Sequence, residues 1–162
     1  MDIDEVMITN KDELDGRHIS IHAPYEYYKY EIVKKSEGNQ CCAALYEILP
    51  GKSNYPYHYH AKSEEIFYII SGIGIVETPS GLRTVKAGDI IVCPPTENGA
   101  HRLFNASETE LLTYLDFDTV SFPEMCFYPH TKKVGVFANS KQNGFFKEDT
   151  KVGYYEGEQE TT

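Results

Sequence analysis

The sequence predicts an all-β sandwich or barrel, and three observations carry that expectation. Short apolar, β-branched and aromatic runs recur roughly every 8–12 residues. Turn-forming Gly and Pro residues separate them. The composition, 41% hydrophobic with 13 Tyr and 8 Phe, suits a folded β-rich domain rather than a disordered chain. At 162 residues the chain is long enough for one well-buried core and short for two.

Taken in order, residues 1–16 read as an arm ending near Leu14-Asp-Gly16. Tyr25–Val33 is aromatic and β-branched with partial alternation, so it reads as a strand. Ser36-Glu-Gly-Asn39 is turn chemistry. Cys41–Leu49 reads as a further strand, although Ala43-Ala-Leu45 also supports helix in so short a run. Strands then follow quickly: Tyr55–His60, Glu65–Ile70, Ile73–Thr78, Leu82–Lys86, Ile90–Cys93, His101–Asn105 and Glu110–Phe117. After Pro123 the pattern loosens, with a short apolar strand near Val134–Val136 and a polar loop at residues 139–144. The pairs Phe145-Phe146 and Tyr154-Tyr155 predict a tail that docks before fraying at Gln159–Thr162.

Charge and compartment narrow the function. The net charge of −10 is concentrated at the ends, with a body close to neutral. No cluster of Lys and Arg suits a phosphate backbone, so nucleic acid is not an expected partner. No run approaches the roughly 18–20 apolar residues of a membrane span. The acidic N-terminus lacks the basic and apolar regions of a signal peptide. A cytoplasmic location is expected. Cys41, Cys42, Cys93 and Cys126 show no C-x-x-C spacing and read as small buried side chains in a reducing compartment.

Two stretches carry candidate chemistry. In the first, His58 and His60 lie two apart, so on a strand both imidazoles project from one face. A tight reversal over residues 61–63 brings Glu65 opposite them. Two imidazoles and a carboxylate are the raw material of a divalent-metal site. The second stretch, Gly88 to Asn105, reads as a strand, a Pro/Gly-rich corner and a strand led by His101.

Together the stretches resemble the two motifs of the cupin superfamily. His58-x-His60, Glu65 and Gly72 fit the first; Gly88, Pro94, His101 and Asn105 fit the second. The departures are a Gly51–His58 spacer one residue longer than usual and a longer Pro94–His101 corner. Both fall in loops, which absorb insertions. The resemblance implies a double-stranded β-helix, the cupin jelly-roll barrel, with an N-terminal arm over residues 1–24. Residues 25–120 form the barrel and 121–162 a C-terminal extension packed on it, similar to the tail of some small cupins of unassigned activity.

The resemblance also implies a ligand set of His58, His60, Glu65 and His101 around one divalent transition metal: Fe, Mn, Ni, Co or Zn. A lone strand histidine is usually structural, but three buried histidines and an acid would otherwise lack a charge partner. Glu64 competes with Glu65, and the spacing to Gly72 favours Glu65. Glu64 and Asn105 are the expected supports of the ligands. His18, His22 and His130 fall outside the motifs and read as surface or loop residues.

Inside such a barrel, Phe67 and Ile69 accompany Glu65 inward, and Leu103 and Asn105 accompany His101. Tyr55, Tyr57, Tyr59, Ile66, Tyr68 and Ile70 then face outward, a surface too apolar to stay wet, so another strand layer or a second subunit should cover it; a homodimer is expected. No Lys or Arg is placed inward by pattern. Two functions follow: a metal-dependent enzyme acting on a small oxygenated molecule held at the metal, or a non-catalytic metal- or ligand-binding module. Cupins include oxygenases, decarboxylases and isomerases, and fold does not choose among them.

Overall fold

The computed structural model describes residues 5–159. Alternation of apolar and polar residues sets its strands. In β5 (Glu65–Ser71), Glu65, Phe67 and Ile69 are buried while Ile66, Tyr68 and Ile70 are exposed, the two-residue period of a half-buried strand. The other strands are β1 (Gly16–His22), β2 (Tyr25–Val33), β3 (Cys41–Ile48), β4 (Tyr59–His60), β6 (Ile73–Thr78) and β7 (Gly81–Lys86). Beyond them lie β8 (Ile90–Cys93), β9 (Arg102–Asn105), β10 (Leu112–Thr119), β11 (Glu124–Tyr128), β12 (Lys133–Phe137) and β13 (Asn143–Lys147). Among the described residues, helix is limited to single 3₁₀ turns. Among the described residues no helix is long and apolar enough to cross a membrane.

The strands form three antiparallel groups. The largest has the order β1-β2-β3-β10-β5-β8; the others are β13-β12-β11-β4 and β7-β6-β9. This is the all-β architecture of the double-stranded β-helix. Neighbours far apart in sequence, such as β3 and β10, pair along their whole length, so long-range pairs join the local hairpins into one barrel wall.

Register lines up inward residues in rows. Tyr46, Tyr114 and Ile69 share one row, and Ala44, Asp116 and Phe67 the next. A third row runs Cys42, Asp118, Glu65, Cys93. The first row belongs to the apolar core with Tyr27, Ile48, Leu103 and Leu112. Going along the wall, the interior changes from apolar to carboxyl-rich within about two residues of each strand, and that change positions the site.

Several expectations need correction. The segment 1–24 contains β1, paired with β2 from Gly16 to His22, so the sheet begins earlier than the arm suggests. The run 43–45 is strand, in line with the reading of Cys41–Leu49 as a strand. Of Tyr55–His60 only Tyr59 and His60 lie in a ladder, so alternation cannot be counted back through Pro56. Tyr55 packs against the core and its hydroxyl is 3.1 Å from that of Tyr46; it faces inward. Tyr57 stacks on His130 and Tyr59 on Phe127, which covers two of the aromatics expected to lie outside.

Candidate metal centre

The two cupin-like stretches meet through their backbones. His58 N–H donates to the His101 carbonyl at 3.0 Å, and His101 N–H returns the bond at 2.9 Å. Residues paired this way present their side chains on the same face; the two rings lie 4.7 Å apart between centroids. His60 follows two residues after His58, its ring 5.3 Å from that of His58. Residues 61–63 then bend the chain, and Glu65 opens β5 with its carboxylate between two imidazoles. His101 Nε2 is 3.2 Å from Glu65 Oε2, and His60 Nε2 is 3.5 Å from Oε1.

Hydrogen bonds fix which ring nitrogens are available. His58 Nδ1 is 2.8 Å from the Pro56 carbonyl and His101 Nδ1 is 2.9 Å from that of Gly99. A carbonyl only accepts, so both Nδ1 atoms carry the proton, which leaves Nε2 of each ring as the nitrogen that offers a lone pair whenever the ring is neutral. Burial, then the neighbouring His101, lowers the His58 pKa to about 3, keeping it in the neutral form that binds metals. Burial pushes the Glu65 carboxyl up, but the His60 hydrogen bond and the surrounding imidazoles outweigh it and hold Glu65 below the usual range.

Lone pairs and a carboxylate facing each other fit a cation. His60 Nδ1 is in addition buried without a hydrogen-bond partner. One ligand atom each from His58, Glu65 and His101 lie within 4.8 Å of one another, as do one each from His58, His60 and Cys126.

A family model described as a cupin domain matches residues 44–117, from β3 through β10. Those residues therefore carry a cupin domain. Its fold is similar to a sugar phosphate isomerase of the cupin superfamily from Silicibacter pomeroyi, with a TM-score of 0.77 and 17% identity over 89% of this chain and 94% of that one. A candidate sugar phosphate isomerase from Acidithiobacillus ferrooxidans gives a TM-score of 0.74 and 21% identity over 91% and 95%. A predicted oxalate decarboxylase from Thermotoga maritima gives 0.61 and 23% over 71% and 100%. At these identities the likeness is one of fold. No curated protein sequence matches the chain.

The cupin barrel encloses a cavity of about 250 Å³ beside His58 and His60. Residues that the sequence left out line it. Lys29 and Lys35 reach it from β2 and the turn beyond, correcting the expectation of no inward cation. Asp116 and Asp118 come from successive inward positions of β10. Burial, then mutual repulsion, pushes Asp116 well above the carboxylate range; burial, then Glu65, raises Asp118. The alternation of Leu112, Tyr114 and Asp116 on β10 was the available signal, because it carries the acids inward with the aromatics.

Strand β11 supplies three more groups: Glu124, Cys126 and Tyr128, at alternate positions. Tyr128 stacks on the His58 ring at 5.8 Å between centroids. Glu124, 1% exposed, accepts hydrogen bonds from Ser63 N–H and Oγ–H, both at 2.7 Å, and from Lys62 N–H at 3.2 Å. It pins the bend between His60 and Glu65, and its Oε2 lies 3.9 Å from His60 Nδ1. This is the supporting role expected of Glu64 and Asn105. Glu64 is instead exposed, while Asn105 donates to the Ile48 and Glu110 carbonyls at 2.8 Å, tying loops together rather than holding a ligand. His18, His22 and His130 are exposed.

Two measurements follow. Glu124→Ala leaves the buried Ser63 donors without an acceptor, at about 1–3 kcal/mol per group; the urea midpoint should fall markedly, and Glu124→Gln should restore part of the loss. The second concerns acid. Between His58's ordinary pKa of 6.5 and its folded value of about 3, the unfolded chain binds more protons. Stability is therefore fully present above pH 6.5 and falls as pH drops through that window. In metal-free protein the wild type should lose stability with falling pH more steeply than His58→Gln, by up to about 1.4 kcal/mol per pH unit. Asp116 and Asp118 act in the opposite sense, and the comparison cancels them because both proteins carry them.

Proposed function

We propose that this cupin is a mononuclear metal enzyme acting on a small oxygenated molecule, with His58, His60, Glu65 and His101 as the metal ligands. The observation that carries the reading is the meeting of His58 and His101, each held by a backbone carbonyl, with the Glu65 carboxylate in one buried cluster. A bound divalent ion would polarise an oxygen of the substrate as a Lewis acid. Imidazole and carboxylate together suit Fe, Mn, Ni, Co or Zn.

The chain's own residues supply the rest. Glu65 offsets part of the ion's charge and Glu124 holds the bend that sets the His60–Glu65 separation. Across the cavity, Asp116 and Asp118 offer oxygens to substrate hydroxyl groups, and Lys29 and Lys35 offer positive charge to an anionic end. Tyr128 and Phe67 wall the imidazoles with apolar surface. These groups favour a hydroxylated, acidic small molecule, a class that includes the sugar phosphates named for two of the similar folds. Four free thiols support a reducing compartment, and the cytoplasm remains the proposed location.

The test is metal content and turnover together. Untagged protein should retain about one divalent ion per chain by mass spectrometry. Glu65→Ala and His101→Ala should weaken retention by at least tenfold, the lower range seen on losing even an outer partner of a ligand. Loaded wild type should turn over a member of a panel of hydroxy acids, keto acids and sugar phosphates. Wild type that retains no ion refutes the reading, and an ion without turnover favours a binding module.

We also propose a homodimer through the outer face of the large sheet. Phe117, Ile66 and Val92 form one exposed row across β10, β5 and β8, and Tyr68 and Ile90 continue it. A contiguous apolar face of this kind is unusual on a monomer. Light scattering at micromolar concentration should give twice the chain mass, and Ile66→Lys with Tyr68→Lys should give the single mass.

A further inference from the structure

Strand β11 carries one group that a four-ligand site leaves unused. Cys126 is in register with His60 across the β4–β11 pair, is 2% exposed, and lines the cavity beside His58 and His60. Its Sγ and one nitrogen from each of those two rings lie within 4.8 Å of one another. Ligands at about 2.0–2.3 Å on opposite sides of one ion span a similar distance.

Cys126 is not simply a small apolar filler. It faces two imidazoles, one of which has a buried nitrogen without a partner. The other inward thiols have different surroundings. Cys42 donates to Asp118 at 3.5 Å, and Cys93 neighbours Glu65 across the β5–β8 pair. Among the described residues, Cys126 is the cysteine grouped with imidazole nitrogens. The nitrogen–sulfur trio shares His58 with the trio of His58, Glu65 and His101, and the two adjoin where His60 Nε2 meets Glu65 at 3.5 Å.

We propose that Cys126 is a metal ligand through Sγ, beside His58 and His60, and that the barrel therefore retains zinc, cobalt, nickel or ferrous iron in preference to manganese or magnesium. The proposal rests on the metal reading above. Thiolate selects borderline and soft ions, whereas oxygen-rich shells suit manganese and magnesium. On binding, the S–H bond breaks, the proton leaves to solvent, and the sulfur lone pair goes to the ion; no electron changes hands. The sulfur would then hold a position that the four-ligand reading leaves to an incoming molecule, so that molecule would meet a site with one fewer opening.

The experiment uses the full chain, stripped with chelator and reloaded with Co(II). Wild type should show sulfur-to-cobalt charge-transfer absorption in the near ultraviolet and an X-ray absorption shell with sulfur at about 2.3 Å. Cys126→Ser should lose both, whereas Cys42→Ala and Cys93→Ala should keep them. Wild type should also release about one more proton per ion than Cys126→Ser. Cobalt retained with only nitrogen and oxygen neighbours overturns the sulfur assignment and leaves the four-ligand site standing. So does a sulfur signal that disappears with Cys93 instead. Cobalt not retained at all overturns both. The wild-type spectra are read directly, so a negative result stands whether or not Cys126→Ser folds.

Discussion

His58 and His101 exchange two backbone hydrogen bonds, at 3.0 and 2.9 Å, and the geometry of the barrel's centre depends on that exchange. The two residues come from segments about forty positions apart in the chain, so their rings meet only because the sheet joins their backbones. The carbonyls of Pro56 and Gly99, each two residues upstream, then take the Nδ1 protons. Both rings are thereby fixed in orientation and in tautomer by backbone alone. Such outer hydrogen bonds normally determine how an imidazole meets an ion. Here the loop leading to each histidine provides its own, and Gly99 is required there because a Cβ would run into the Pro94 carbonyl.

The remaining acid is held differently. Glu65 takes its direction from β5, where Phe67 and Ile69 anchor the same face in the core. His60 is linked to it by a bend with no regular structure, and Glu124 supplies the missing rigidity. A carboxylate that is 1% exposed needs several donors to offset its desolvation. The amides of Lys62, Ser63 and Met125 and the Ser63 hydroxyl meet that need. The C-terminal strands thus act on the centre of the barrel from a segment outside both motifs.

The barrel strands were legible because their side chains alternate in a sheet with one wet face. Tyr25–Val33, Ile73–Thr78 and Ile90–Cys93 end where Val33, Thr78 and Cys93 meet turns or prolines. The meeting of His58, Glu65 and His101 was legible from the spacing of two motifs. Tyr55 was not, because Pro56 and the absence of a ladder remove the period on which counting relies. Nor were Glu124, Cys126 and Tyr128: their inward direction depends on β11 pairing with the two-residue strand β4, a long-range choice that local sequence does not encode. Lys29 was missed for a related reason, since β2 is aromatic on both faces and its inward side could not be chosen; Lys35 lies beyond the strand, where no period applies.

One row sets the energetics of the interior. Cys42, Asp118, Glu65 and Cys93 lie side by side across four strands, and Asp116 follows on the same face as Asp118. Three carboxyl groups this close raise one another's energy when ionised, and each loses several kcal/mol of hydration on burial. Apolar residues in the same row would make a more stable sheet, as they do one row further along at Tyr46, Tyr114 and Ile69. The cation-poor row therefore works against the fold, and two half-buried lysines offset it only partly. A divalent ion held as proposed at the imidazole end would offset the charge of Glu65 and lower the repulsion felt by Asp118 and Asp116. Stability and chemistry then favour the same occupant. The acids that cost the fold stability are the ones that an ion and a hydroxylated ligand together would satisfy.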